Sequence, residues 1–149
     1  MKELRQSIQS EFVQFEQAFA ASLKTDYTVL NHVLDYIHTR RGKQLRPILV
    51  LLSAAICKGV TDKTIQSAVA LELLHTASLV HDDVVDNSPI RRGTKSIHEQ
   101  WSNKVAVLTG DFILAKVIGL LSDIRNTSIL NIVSQVGAAL SSGELIQLH

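Results

Sequence analysis

Three aspartates crowd the end of one apolar stretch, His81-Asp82-Asp83-Val84-Val85-Asp86. On a helix, Asp82 and Asp86 are four apart and share a face, with about 6 Å of axial rise between them. Asp83 and Asp86 are three apart and share the neighbouring edge. Carboxylates this close repel, raise one another's pKa and destabilise the helix unless a cation sits among them. At a helix C-terminus they also oppose the macrodipole. Acids placed against both preferences point to a cation. Hard oxygen ligands with no thiolate partner point to magnesium, which takes one or two carboxylates and completes its shell from water and phosphate. The flanking Leu73, Leu74, Ala77, Leu79, Val80, Val84 and Val85 are apolar, so most of this helix is expected to be buried and its acids to open onto a cavity.

A basic set answers the acids. Arg91-Arg92-Gly93 comes within a turn of them, and Lys43 and Arg46 belong to a Gly42-containing loop. Arginine forks grip phosphate oxygens bidentately, and lysine adds a point charge. Either basic pair alone is a common surface feature. Acids that need magnesium beside bases that need an anion read jointly as a diphosphate site. His75 lies seven residues before Asp82, two turns away, and therefore faces the same side; taken alone, a helical histidine is more often a satisfied core residue.

The elements that must hold these groups read as helix almost throughout. Leu4, Ile8, Phe12, Phe15, Phe19 and Leu23 step by threes and fours, and Val29, Leu30, Val33, Leu34 and Ile37 do the same. Residues 39–47 break the pattern, with Pro47 expected at the first position of a third helix that Gly59 ends. A long helix is expected from a cap at Asp62 to about Asp86, with Pro89 forbidding continuation. Two further helices run from about Asn103 to Ser122 and Thr127 to Leu148, opened by Asn and Thr caps. Val105-Ala106-Val107-Leu108 reads as a short strand only in isolation, because no alternating partner exists. The fold class is all-α, a helical bundle.

Composition bounds what such a bundle does. The chain has 149 residues, 46% hydrophobic, and 15 Lys+Arg against 14 Asp+Glu. That excludes intrinsic disorder and gives no global pull towards nucleic acid or an anionic membrane. One domain is expected. The lone Cys57 cannot form an internal disulfide or a thiolate zinc cluster, and its apolar neighbours predict an inert core thiol. No secretory signal opens the chain, and the longest greasy run, Pro47 to Cys57, is too short for the roughly 20 residues of a membrane span. The expected compartment is the cytoplasm.

Gly42-Lys43-Gln44-Leu45-Arg46-Pro47, the run Glu72 to Asp86, Arg91-Arg92-Gly93 and Gly110-Asp111 together resemble the trans-isoprenyl diphosphate synthases, or polyprenyl synthases, over about residues 30 to 148. The resemblance implies an isoprenoid-synthase helical bundle acting as a homodimer. It implies that Asp82 and Asp86, with Asp83 alongside, are the first aspartate-rich motif, Asp82 and Asp86 holding Mg2+ that bridges to an allylic prenyl diphosphate. Arg91 would bind that same diphosphate. Lys43, Arg46, His75 and Arg92 would bind the diphosphate of isopentenyl diphosphate. The implied reaction ionises the allylic substrate, adds the isopentenyl double bond to the carbocation and loses a proton.

In that family the growing tail runs down beside the first motif. Ala77 and Ser78, five and four residues before Asp82, are both small, and no aromatic lies between Tyr36 and Trp101. The expectation is a long-chain product; the plainer alternative is that small residues allow close helix packing. The family's second aspartate-rich motif and the lysine-bearing segment before it do not occur here. The final helix is still apolar at His149, and the family domain is about twice this length. Residues 1–149 therefore read as the N-terminal part of a single domain, lacking one side of its metal site and inactive alone. Two other readings stand beside this one. A half-length binding or regulatory subunit of a prenyl synthase is one. The other is an HD-type metal phosphohydrolase using His81-Asp82 with His75 or His98.

Overall fold

Phe12, Phe15 and Phe19 lie along one face of the first helix, α1 (Gln9–Ser22), and all three are buried. Their rings approach at 5.6 and 5.8 Å between centroids, and with Ile8 and Leu23 they close one side of the main core. The structure is a computed structural model and describes residues 5–147; Leu4 and Leu148, assigned above to the first and last helices, lie outside that range. Helix α2 (Thr28–Thr39) buries Val33 and Leu34, whereas Val29 in its first turn stays exposed.

Helix α3 (Leu45–Cys57) starts two residues earlier than Pro47 predicts, from Gln44 in the left-handed conformation at φ 53°. Pro47 sits inside the first turn, where a missing N–H leaves no bond unmade. Ile48 and Leu51 face the core. Cys57 does not: it is exposed. It lies six residues beyond Leu51, about 240° around the helix, so an apolar neighbourhood in sequence put it on the wrong face.

The central helix, α4 (Asp62–Val85), buries Ala68, Val69, Leu73 and Ala77 between α1, α3 and the sixth helix. Its cap is Thr61 rather than Asp62. The Thr61 hydroxyl accepts the Thr64 N–H, and Thr64 answers to the Thr61 N–H, a reciprocal capping box. Asp62 is instead a first-turn acid, favourable to the dipole. The helix stops at Asn87, φ 48°, before Pro89 can act. Ser88 N–H donates to the Asp83 carbonyl and Asn87 N–H to that of Val84, the double bond of a Schellman ending.

Beyond Pro89 the chain forms a small antiparallel hairpin of which the helical periodicity gave no warning. Strands β1 (Ile90–Arg91) and β2 (Thr94–Lys95) pair Ile90 with Lys95 and Arg91 with Thr94. Arg92 and Gly93 between them both have positive φ, 52° and 79°, as a tight two-residue turn demands. Tyr36 Oη donates to the Lys95 carbonyl at 2.7 Å and ties the hairpin to α2.

After the short α5 (Ile97–Gln100) come α6 (Asn103–Ile124) and α7 (Thr127–Gln147). Each is capped one residue earlier than predicted. Ser102 Oγ accepts from Val105 N–H, and Asn126 Oδ1 accepts from the Ser128 and Ile129 N–H groups. Residues 105–108 are helical, not strand. By length and composition α6 and α7 could each cross a membrane, although polar residues interrupt both and no single greasy run betrays them. Helix α6 places Ile113, Val117, Leu121 and Ile124 in the core. Helix α7 has no buried residue and leaves Ile132, Leu145 and Ile146 exposed.

Candidate functional site

The last turn of α4 separates its three aspartates. Asp83 is buried and turned towards the hairpin, where Arg91 Nε donates to its Oδ1 at 2.7 Å and Arg91 Nη2 reaches the same oxygen at 2.5 Å. The left-handed Asn87 that ends α4 turns the chain so that Arg91 returns to the helix's last turn. Asp82 is half-buried and Asp86 exposed, and among the described residues neither carboxylate has an ion pair or a hydrogen bond. Burial raises the Asp82 pKa, and the negative charges of Glu144 and Asp86 raise it further. Glu144 is carried by α7 along the same side of α4; seven residues earlier, Gly137 lies against Leu74.

The basic groups gather two turns back along this helix, around His75, from the loop, α3 and the hairpin turn. Lys43, Arg46, His75 and Arg92 line one cavity of about 390 Å³, with Gly42, Gln44, Leu45 and Glu72. Lys43 is on the loop, as expected, while Arg46 is the second residue of α3. Arg92 donates to the Arg40 carbonyl at 3.1 Å and lays its guanidinium on Gly42, where a Cβ would stand 2.7 Å from Cζ. Burial pushes the His75 pKa down to about 4, and the positive charges of Arg46, Arg92 and Arg91 assist. At neutral pH this imidazole is uncharged and ringed by cations: the surroundings are built for an anion.

Glu72 is the residue that sequence reasoning passed over. It is 6% exposed, its Oε2 has no hydrogen-bond partner, and burial raises its pKa against the pull of Arg46, Arg92 and Arg41. The available signal was an isolated acid three residues before His75 in an otherwise apolar run. Glu72, His75 and Arg92 also line a second cavity of about 80 Å³, which includes Asp83 and Arg91. Asp82 and Asp86 line neither cavity.

The small residues before the acids diverge. Ala77 is fully buried in the main core, so at this position the packing reading describes the geometry. Ser78 is half-buried on the Asp82 face, its hydroxyl donating to the His75 carbonyl at 2.9 Å. His81 turns to α6, with Nε2 3.2 Å from the Val107 carbonyl and 3.5 Å from Asp111. Gly110 makes room for it, since a Cβ there would run into the imidazole. His98 pairs with Ser96. The histidines required by a phosphohydrolase doublet are thus dispersed. Among the described residues no group of three or more His, Cys, Asp and Glu could hold a metal ion. Asp82 and Asp86 remain two crowded, unneutralised hard-oxygen donors. They suit an ion such as Mg2+, which accepts one or two carboxylates and draws its other ligands from water and phosphate.

Comparison with known proteins names the family. Polyprenyl synthetase matches residues 27–149. The chain belongs to this family. It is 36% identical over 143 residues to the all-trans-nonaprenyl-diphosphate synthase (geranyl-diphosphate specific) of Rhodobacter capsulatus, covering 95% of this chain and 44% of that one. It is 35% identical over 133 residues to heptaprenyl diphosphate synthase component 2 of Bacillus subtilis, covering 89% and 38%. The crystal structure of a decaprenyl diphosphate synthase from Rhodobacter capsulatus superposes with a TM-score of 0.94 at 30% identity, over 99% of this chain and 46% of that chain. The polyprenyl synthetase fold is therefore the all-α isoprenoid bundle expected, and the chain spans less than half the length of these relatives.

Proposed function

We propose that this chain forms one wall of a prenyltransferase that condenses an allylic prenyl diphosphate with isopentenyl diphosphate to give a long-chain polyprenyl diphosphate. One juxtaposition carries the reading. The unneutralised Asp82 and Asp86 close the same helix whose His75 enters a cavity shared with Lys43, Arg46 and Arg92. The long-chain assignment is supported by the nonaprenyl and decaprenyl synthases among the relatives and by small Ser78 on the Asp82 face.

Asp82 and Asp86 would hold Mg2+, which when bound supplies positive charge to a departing diphosphate. Arg91, anchored by Asp83, adds fixed positive charge for the allylic diphosphate. Lys43, Arg46 and Arg92, with His75, take the diphosphate of isopentenyl diphosphate, the arginines through bidentate contacts. The allylic C–O bond breaks, the isopentenyl double bond attacks the resulting carbocation, and a proton leaves the adduct. The same reading puts the enzyme in the cytoplasm as a homodimer, with exposed Leu108 and Ile118 on α6 available for pairing.

Calorimetric titration with geranyl diphosphate, with and without Mg2+, tests the assignment. Binding should require Mg2+ in the parent chain and be lost in Asp82→Ala and Asp86→Ala. Equal binding by both variants would refute it. A second reading, a subunit that acts with a partner, draws support from the relative named as component 2 and from the uncovered α7. Product chromatography with both diphosphates and Mg2+ should show no prenyl product from this chain alone under either reading. Restoration by a separate partner protein would favour the subunit.

A further inference from the structure

The loop bearing Lys43 is held from two sides. On one side Arg92 donates to the Arg40 carbonyl and covers Gly42. On the other side lies α1, which precedes residues 27–149 matched by the family. Glu16 on α1 stands 3.6 Å from Arg41 Nη2, and Arg5 Nη2 donates to Gln44 Oε1 at 3.1 Å. Gln44 is 7% exposed, left-handed and the N-cap of α3, so it sits between Lys43 on the loop and Arg46 in the first turn of the helix and fixes their relative placement. Arg41 is anchored further by donating from Nε to the His38 carbonyl at 3.0 Å and by the Phe19 ring 5.2 Å away.

We propose that Glu16 on α1 and Arg5 just before it are positioning residues for the anion cavity, holding residues 41–44 in the shape that lets Lys43 and Arg46 meet a diphosphate. The proposal rests on the diphosphate reading of that cavity. Its physical basis is preorganisation: a loop ordered during folding does not have to be ordered during binding. Glu16 separates this role from simple electrostatics by sign. Replacing it with glutamine removes a negative charge from the neighbourhood of an anion site, which by long-range charge alone strengthens anion binding. If it positions the loop, the same replacement weakens binding.

Inorganic pyrophosphate titrated calorimetrically into the whole chain is the probe, read beside urea unfolding. Glu16→Gln should weaken pyrophosphate binding about threefold, within what a partly exposed ion pair can contribute by preorganising the loop. Its side chain is 41% exposed, so the unfolding midpoint should barely move. Arg5→Met combined with Glu16→Gln should weaken binding further. Unchanged or tighter binding in Glu16→Gln overturns the proposal while leaving the cavity reading intact. If the parent chain fails to bind pyrophosphate, or Arg46→Ala binds as the parent does, the cavity reading itself falls and this proposal falls with it.

Discussion

Removing Arg91 should cost more than removing the charge of its partner, and removing both should cost less than removing Arg91 alone. The cause is unequal burial. The Asp83 side chain is 7% exposed and that of Arg91 is 37% exposed. Arg91→Ala strands a carboxylate that water reaches poorly, a situation that costs about 3–5 kcal/mol. Asp83→Asn keeps an acceptor oxygen for Arg91 Nε and leaves a guanidinium that is already partly hydrated. That variant exchanges a charge-assisted hydrogen bond for a neutral one, a loss of about 1–1.5 kcal/mol. In Asp83→Asn/Arg91→Ala the stranded group is a neutral amide, whose unsatisfied burial costs about 1–3 kcal/mol.

The double variant should therefore be more stable than Arg91→Ala by about 2 kcal/mol, the difference between those two costs. Urea unfolding monitored by far-ultraviolet circular dichroism measures it. With a denaturant slope of about 1–3 kcal/mol per molar, the midpoint of the double variant should lie about 1 M above that of Arg91→Ala. A double variant as unstable as the single one would refute the reasoning. It would mean that Arg91 stabilises through its aliphatic packing beneath α4 and that Asp83 is not an energetically isolated charge. The result bears on function, because it decides whether Asp83 acts on the reaction by holding Arg91 or as a member of the acid face.

Asp82→Asn should stabilise the chain at neutral pH, since it relieves burial and like-charge crowding by Glu144 and Asp86, and should abolish the Mg2+-dependent binding of allylic diphosphate proposed above. A carboxyl with a raised folded pKa contributes stability below its unfolded pKa that is lost as pH rises, so the gain should shrink in acid; thermal melts at several pH values check this. His75 works in the opposite sense. Its folded pKa, about 4 against 6.5, means that the unfolded chain binds the extra proton, so stability should fall as pH drops through that window and His75→Gln should flatten the profile. Ala77→Phe should destabilise by about 1–3 kcal/mol or more through overpacking a filled core, whereas Ser78→Phe should fold. In a full-length enzyme carrying these residues, chromatography should show shorter products for Ser78→Phe.

The residues that keep to one helical face were legible, and the residues that leave it were not. Phe12, Phe15 and Phe19 reach the core because 3.6-residue periodicity leaves them no other face. Lys43, Arg46 and Arg92 could be read as diphosphate-binding from their types, and His75 through the family resemblance, yet nothing in their spacing says that a two-residue turn at Arg92-Gly93 folds Arg92 onto Gly42. Periodicity puts Asp82 with Asp86 on one face and Asp83 with Asp86 on the neighbouring edge, but it does not say that Arg91 claims Asp83 and leaves the first pair without an ion-pair partner. Glu72 escaped for the same reason. A lone acid in an apolar run has no pattern until its neighbours in space are known, here three arginines. Helix phase thus identified candidate groups, while the connections between helices determined which charges face one another, and it is the facing charges that make this surface a site.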